Sequence, residues 1–191
     1  MKTAATTLAG QLLIAMPQMQ DRHFERSVIF LCVHNAEGAM GLVVNKTIDS
    51  VTLQELLEKL KVPCEGLKGA ARVHAGGPVE EGRGFVLHSD DYLEENSLVV
   101  GNHLALTATL DILRAMGRGE GPRRSLLALG YAGWGPGQLD GELSEGSWIV
   151  EPAQPDDVFT LRPGRLWSDI LQRKGGPFGV LALMPPDPSL N

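Results

Sequence analysis

Cysteine is nearly absent: Cys32 and Cys64 are the two in 191 residues, too few and too far apart for a disulfide framework or a zinc cluster. We therefore expect a reduced, cytoplasmic protein. No apolar run reaches the roughly 20 residues that cross a bilayer. Leu12-Leu13-Ile14-Ala15-Met16 follows Lys2 but is too short for a signal core, so neither a secretory leader nor a membrane role is expected. Positive charge is in deficit, with 17 Lys and Arg against 23 Asp and Glu, a net charge of −6 and a pI near 5.3. Nucleic-acid affinity comes mainly from Lys and Arg neutralising phosphates, so direct nucleic-acid binding is not expected. A DNA partner would need a local basic face, for which Arg114, Arg118, Arg123 and Arg124, tempered by Asp111 and Glu120, are the candidates. The acidic stretch Glu80 to Glu95 has Arg83 as its single base and reads as a solvated face.

Catalytic signatures are missing too. Gly135-Pro136-Gly137-Gln138-Leu139-Asp140 lacks the last glycine of a dinucleotide fingerprint and its proline removes an amide donor. There is no P-loop, and Ser27, Ser89 and Ser125 lie outside any nucleophile elbow. Asp90-Asp91 and Asp156-Asp157 are neighbours, which on a strand point to opposite faces. His23, His34, His74, His88 and His103 show no paired ligand spacing. Cys32 reads as an inert core thiol and Cys64 as the more exposed one. The expectation is no metal, no cofactor and no catalytic residue. His34, His74 and His88, at strand ends, could still converge in space as general bases.

What is present is enough chain for a real core. A domain of this length hides roughly 70% of the surface its unfolded chain exposes, and 43% of the residues are apolar. Val28 to Val33 is apolar throughout and predicts a central strand, turning through Asn35 and Gly38 into Ala39 to Asn45. Thr52-Leu53-Gln54-Glu55 is a capping box opening a helix whose Leu53, Leu56, Leu57 and Leu60 share a face before Pro63. Short strands are predicted at Arg72 to Ala75, Phe85 to His88 and Leu98 to Val100. A second helix, capped by Thr107, should bury Leu110, Leu113 and Met116 and end at Gly117-Arg118-Gly119. A strand at Leu126 to Leu129, a short helix near Gln138 to Leu143 and a strand at Trp148 to Val150 follow. A helix over Arg165 to Lys174, a closing strand at Val180 to Leu183 and a loose tail over 185–191 complete the chain. Strands that come in hairpins and are interrupted by single helices indicate α+β: a single domain with a mixed, partly antiparallel sheet flanked by helices.

Between Leu126 and Leu139, four glycines and Pro136 surround Trp134. A strand-to-helix turn of this kind serves either to hold an anion or to pack tightly, because glycine tolerates positive φ and close backbone approach. Trp134 itself either stacks a ligand or plugs the core. A small-molecule pocket would gather His34, Asn45, Gly76, Gly77, His88 and Trp134 at the ends of neighbouring apolar strands.

Several stretches, taken in order, resemble the YqgE/AlgH family of bacterial proteins almost end to end. They are Gly10 to Pro17, Phe24 to Val28, His34 with Gly38 to Lys46, Gly76-Gly77-Pro78-Val79, Leu87-His88-Ser89, and Gly130 to Trp134 with Gly137-Gln138-Leu139. Arg22 and Thr47 depart from the pattern where the family commonly carries proline, a change of local loop rigidity. The resemblance implies one domain over 1–191, a cytoplasmic location and a mixed sheet. It also implies the role in transcriptional regulation proposed for one branch, and it supplies no active site. Two readings stay open: a regulatory or interaction protein that acts through a protein or small-molecule partner, and a ligand-binding protein or enzyme built on the pocket above.

Overall fold

The computed structural model describes residues 7–67 and 71–185. Its first half is a meander of β1 (Gln11–Ala15), β2 (Val28–Asn35) and β3 (Gly38–Val43), followed by β4 (Thr47–Thr52), α1 (Leu53–Lys59) and β5 (Arg72–Ala75). Then come β6 (Val79–Ser89), β7 (Leu98–Val100), β8 (Leu104–Thr107), α2 (Leu110–Arg118) and β9 (Ser125–Trp134). The chain finishes with α3 (Gln138–Ser144), β10 (Trp148–Pro152), α4 (Pro155–Val158), α5 (Pro163–Lys174) and α6 (Gly176–Leu181).

The strands form one sheet in the order β10-β1-β2-β3-β9-β6-β8-β7, with β5 added on β9 and β4 on β5. Among the described residues every pairing is antiparallel except β5 on β9. The α+β class stands, with a sheet far more antiparallel than a partly antiparallel one. The sheet curls until the β7–β8 turn meets the start of β1: a Cβ on Gly10 would lie 2.8 Å from Gly101 Cα. Leu12, Phe30, Leu42, Leu87 and Leu106 fill the inside of the curl. Helix α5 closes it with Trp167, Ile170 and Leu171, and the Trp167 indole donates to the Ala15 carbonyl at 2.7 Å. On the outer face, α1 and α2 lay Leu57 and Ile112 against Val73, Val86 and Leu127. Full burial of one such side chain stabilises by roughly 1.5–3 kcal/mol.

Local chemistry explains several boundaries. Thr52 and Glu55 form the expected reciprocal cap, Thr52 N to Glu55 Oε2 at 2.8 Å and Glu55 N to Thr52 Oγ1 at 3.2 Å. In α2 the capping threonine is Thr109, which accepts from Ile112 N at 3.3 Å, not Thr107, which ends β8. The inward stripe shifts with it: Ile112, Leu113, Ala115 and Met116 are buried, whereas Leu110 is 49% exposed. β1, β4 and β8 are strands that the periodicity did not single out. The expected closing strand at Val180 to Leu183 is instead part of α6 and the turn after it. Gly175, at φ +73°, redirects the chain and Pro177 seats the first turn of a new helix. The expected loose tail falls almost wholly on residues 186–191, outside the described residues.

Candidate functional site

Only Gly135 to Gly137 makes the expected turn between strand and helix; the rest of the glycine-rich passage lies in β9. β9 runs straight through it to Trp134 and changes partners there: Leu127 to Leu129 lie between β5 and β6, whereas Ala132 to Trp134 pair with β3. Gly130, at φ +73°, is where it changes. A Cβ on Gly130 would sit 2.3 Å from Gly77 O, and one on Gly77 would sit 2.1 Å from Tyr131 C. Gly76 N donates to Leu129 O at 2.8 Å and Gly76 O accepts from Val43 N at 2.9 Å, so the link between β5 and β6 ties β3 to β9. Gly76 and Gly77 serve backbone approach.

The other sequence-nominated residues are occupied by the fold. Asn45 is buried, accepting from Val28 N at 2.7 Å and donating to Arg26 O at 2.8 Å. His34 Nδ1 accepts from Leu8 N at 3.2 Å, which leaves the proton on Nε2, 3.5 Å from Asp140. His88 is fully enclosed. Its Nδ1 donates to the Ser89 carbonyl at 2.9 Å, so Nε2 accepts from Thr107 Oγ1 at 2.8 Å, and Thr107 in turn meets Ser97 Oγ at 2.7 Å. Burial holds His88 below the usual histidine range, opposed by the Ser89 carbonyl and by Asp91 and Glu94.

Trp134 is a plug: it stacks on Phe24 at 6.3 Å and meets Trp148 edge-on at 6.1 Å. Glu142, which sequence reasoning passed over, is the group that fixes it. One carboxylate oxygen accepts from the Trp134 indole at 2.9 Å and the Trp148 indole at 2.7 Å, and the other accepts from Gln138 Nε2 at 3.0 Å. The structure therefore does not gather the six residues around one cavity. His34, Asn45, Gly76 and His88 line none of the principal cavities among the described residues, Gly77 lines a small cleft beside Lys46, and Trp134 borders a wide groove. That groove, about 680 Å³, lies between Val33, Met40, Phe85, Leu106 and Tyr131, with the Arg83 guanidinium 5.0 Å over the Phe85 ring.

A different histidine is left unsatisfied. His74 is 8% exposed and its Nδ1 is buried without a hydrogen-bond partner among the described residues. Leaving such a group unpaired costs about 1–3 kcal/mol. Burial pushes the ring down to about 4; the carbonyls of Leu127 and Arg72 oppose this and the Arg72 charge adds to it, so His74 is neutral at physiological pH. The ring walls a cavity of about 260 Å³ together with Arg72, Ser125 and Thr160, on an apolar floor that includes Leu126 and Val158. Arg72 forms no ion pair among the described residues. The sequence held one sign of this site: Arg72 and His74 are two apart on a strand, hence on one face. Cys32, buried in β2 and pushed up to about 12 by that burial, is an inert thiol as expected.

Residues 12–179 match the family described as AlgH-like. A UPF0301 protein of Afipia carboxidovorans is 46% identical over 188 residues, 94% of this chain and 90% of its own length. Another, from Rhodospirillum rubrum, is 51% identical over 170 residues, 85% of this chain and 88% of its own. The solution structure of the AlgH protein from Pseudomonas aeruginosa is similar with a TM-score of 0.77 at 40% identity, covering 97% of this chain and 98% of that one. The crystal structure of protein DIP2367 from Corynebacterium diphtheriae, at 23% identity and a TM-score of 0.76, shares the fold.

Proposed function

We infer that this chain, which belongs to the AlgH-like family, is a regulatory binding protein that affects transcription indirectly, through a protein or small-molecule partner and without turnover. One observation carries the reading: the arginines that could form a basic face are each matched to a carboxylate. Arg114 lies 2.8 Å from Asp111, Arg118 2.7 Å from Glu120, Arg123 3.8 Å from Asp91 and Arg124 2.8 Å from Asp156. A phosphate backbone would have to displace these partners on a chain of net charge −6, and affinity for it comes from cations left over. We place the protein in the cytoplasm, a reading that its two free thiols support; among the described residues no helix is long and apolar enough to cross a membrane.

The test is a fluorescence-anisotropy titration of duplex DNA at low and moderate salt. The reading expects no tight binding at either. Tight binding that falls steeply with salt, with a slope flattened when Arg114, Arg118, Arg123 and Arg124 become glutamine, overturns it. A second reading, a protein that binds a small molecule, is favoured by His74, whose Nδ1 has no hydrogen-bond partner among the described residues, beside its cavity.

A further inference from the structure

We propose that the cavity walled by Arg72 and His74 is a binding site for a small organic monocarboxylate with an apolar body, the carboxylate meeting Arg72 and the His74 ring. The proposal rests on the second reading above and names its ligand class. Size sets the first limit. An apolar cavity of about 150 Å³ holds benzene, so about 260 Å³ admits a body of roughly ten non-hydrogen atoms.

Charge sets the second. Arg72 faces the cavity without a carboxylate partner among the described residues. The acids close by are spent: Asp156 pairs with Arg124 at 2.8 Å, and Asp157 makes two bonds to Arg173 at 3.0 and 2.7 Å. The cavity also borders Pro163, at the start of α5, whose N-terminus has no side-chain cap, so its positive end adds to the same field. A neutral imidazole keeps one N–H, a donor suited to an acceptor-only carboxylate.

Composition sets the third. One guanidinium without an ion pair among the described residues, together with Ser125 and Thr160, shares the lining with Leu53, Met116 and Leu127. That balance suits one carboxylate on an apolar stem, since an arginine fork matches a carboxylate in two parallel bonds. A phosphate dianion would carry more charge than the single cation answers. His74 lines the cavity, and among the described residues its buried Nδ1 has no hydrogen-bond partner, which leaves the ring's polarity incompletely answered by the fold.

The experiment follows the His74 ring by ¹⁵N-correlated NMR in the whole chain while aliphatic and aromatic monocarboxylates of about four to ten non-hydrogen atoms are added, with size-matched alcohols and amines as controls. Calorimetry runs in parallel. The expected result is that carboxylates shift the His74 signals with a Kd on the order of 1 mM or tighter, the controls do not, and Arg72→Gln weakens binding about tenfold. If matched alcohols or amines bind at His74 as well as the acids do, the carboxylate assignment falls while the small-molecule reading stands. If no compound moves the His74 signals, both fall. Carboxylate binding indifferent to Arg72→Gln overturns the assignment. His74→Asn, checked for native near-ultraviolet dichroism, should weaken the acids and not the weak apolar background; the wild-type resonance carries the test without it.

Discussion

The two ends of β9 treat buried polarity in opposite ways. At its far end, Trp134, Trp148 and Gln138 all donate to one carboxylate, Glu142, and among the described residues no buried side-chain polar atom there lacks a partner. At its near end, His74 is registered beside Ala128, and among the described residues its Nδ1 is unpaired and the arginine two residues away is unmatched. Gly130 separates the two. A polar group that the fold needs is saturated by the fold, so the residue worth asking about function is the one left unsatisfied. Trp134 and His88 drew attention in the sequence as candidate ligand contacts, and both are saturated. His74 is not.

The junction between the two ends should be the least tolerant point. Gly77→Ala would force a Cβ to 2.1 Å from Tyr131 C at φ +152°, adding backbone strain to a clash with main chain that cannot swing aside. We expect a loss above about 3 kcal/mol, or failure to fold, read by urea denaturation. The near end should announce itself through pH. The ring of His74 is pushed down to about 4 from an ordinary 6.5, so the unfolded chain binds a proton in that window and the folded chain does not. Stability from this group is complete above about pH 6.5 and drains as pH falls towards 4, by about 3 kcal/mol in all. His74→Leu should flatten that limb of the stability profile; a limb unchanged in the variant would assign the loss elsewhere. The far end should respond to Glu142→Ala, which strands two indole N–H groups, with a loss of about 2–3 kcal/mol.

How much of this was legible depends on how far apart the partners are. Thr52 and Glu55 cap α1 within one turn, and such adjacent chemistry reads directly from sequence. Leu12 to Ala15 does not read as β1, although it is as apolar as Val28 to Val33, because so short a run does not separate a strand from a buried turn of helix; all four residues are fully buried between β10 and β2. Gly130 looks like a turn, since positive φ serves a bulge as well as a bend. Val180 to Leu183 has strand composition, but a strand exists only where an edge accepts it, and Val180 is 67% exposed on α6. The site follows the same logic. His34, Asn45, His88 and Trp134 are visible as polar groups among apolar strands. Their partners, Leu8, Val28, Thr107 and Glu142, lie 8 to 26 residues away, so whether each group is spent is a tertiary fact. Arg72 and His74 were placed on one strand by sequence, and only the fold showed that, among the described residues, Arg72 has no ion pair and His74 Nδ1 no hydrogen-bond partner.

The smallest effect is the most telling about purpose. Arg124, near the start of β9, bonds Asp156 at 2.8 Å and lies 4.9 Å over the Phe159 ring, contacts that hold the wall of the His74 cavity in place. Arg124→Gln should cost about 0.5–1 kcal/mol, the range of a partly exposed pair with a cation–π contact. Arg72→Gln should change stability by less than about 0.5 kcal/mol, because among the described residues no ion pair is lost and the side chain is exposed. Thermal melts of the two variants side by side decide the matter. Equal losses would make Arg72 one more structural cation and erase the contrast between the ends of β9; a silent Arg72 beside a costly Arg124 would mean that the fold carries this charge without leaning on it.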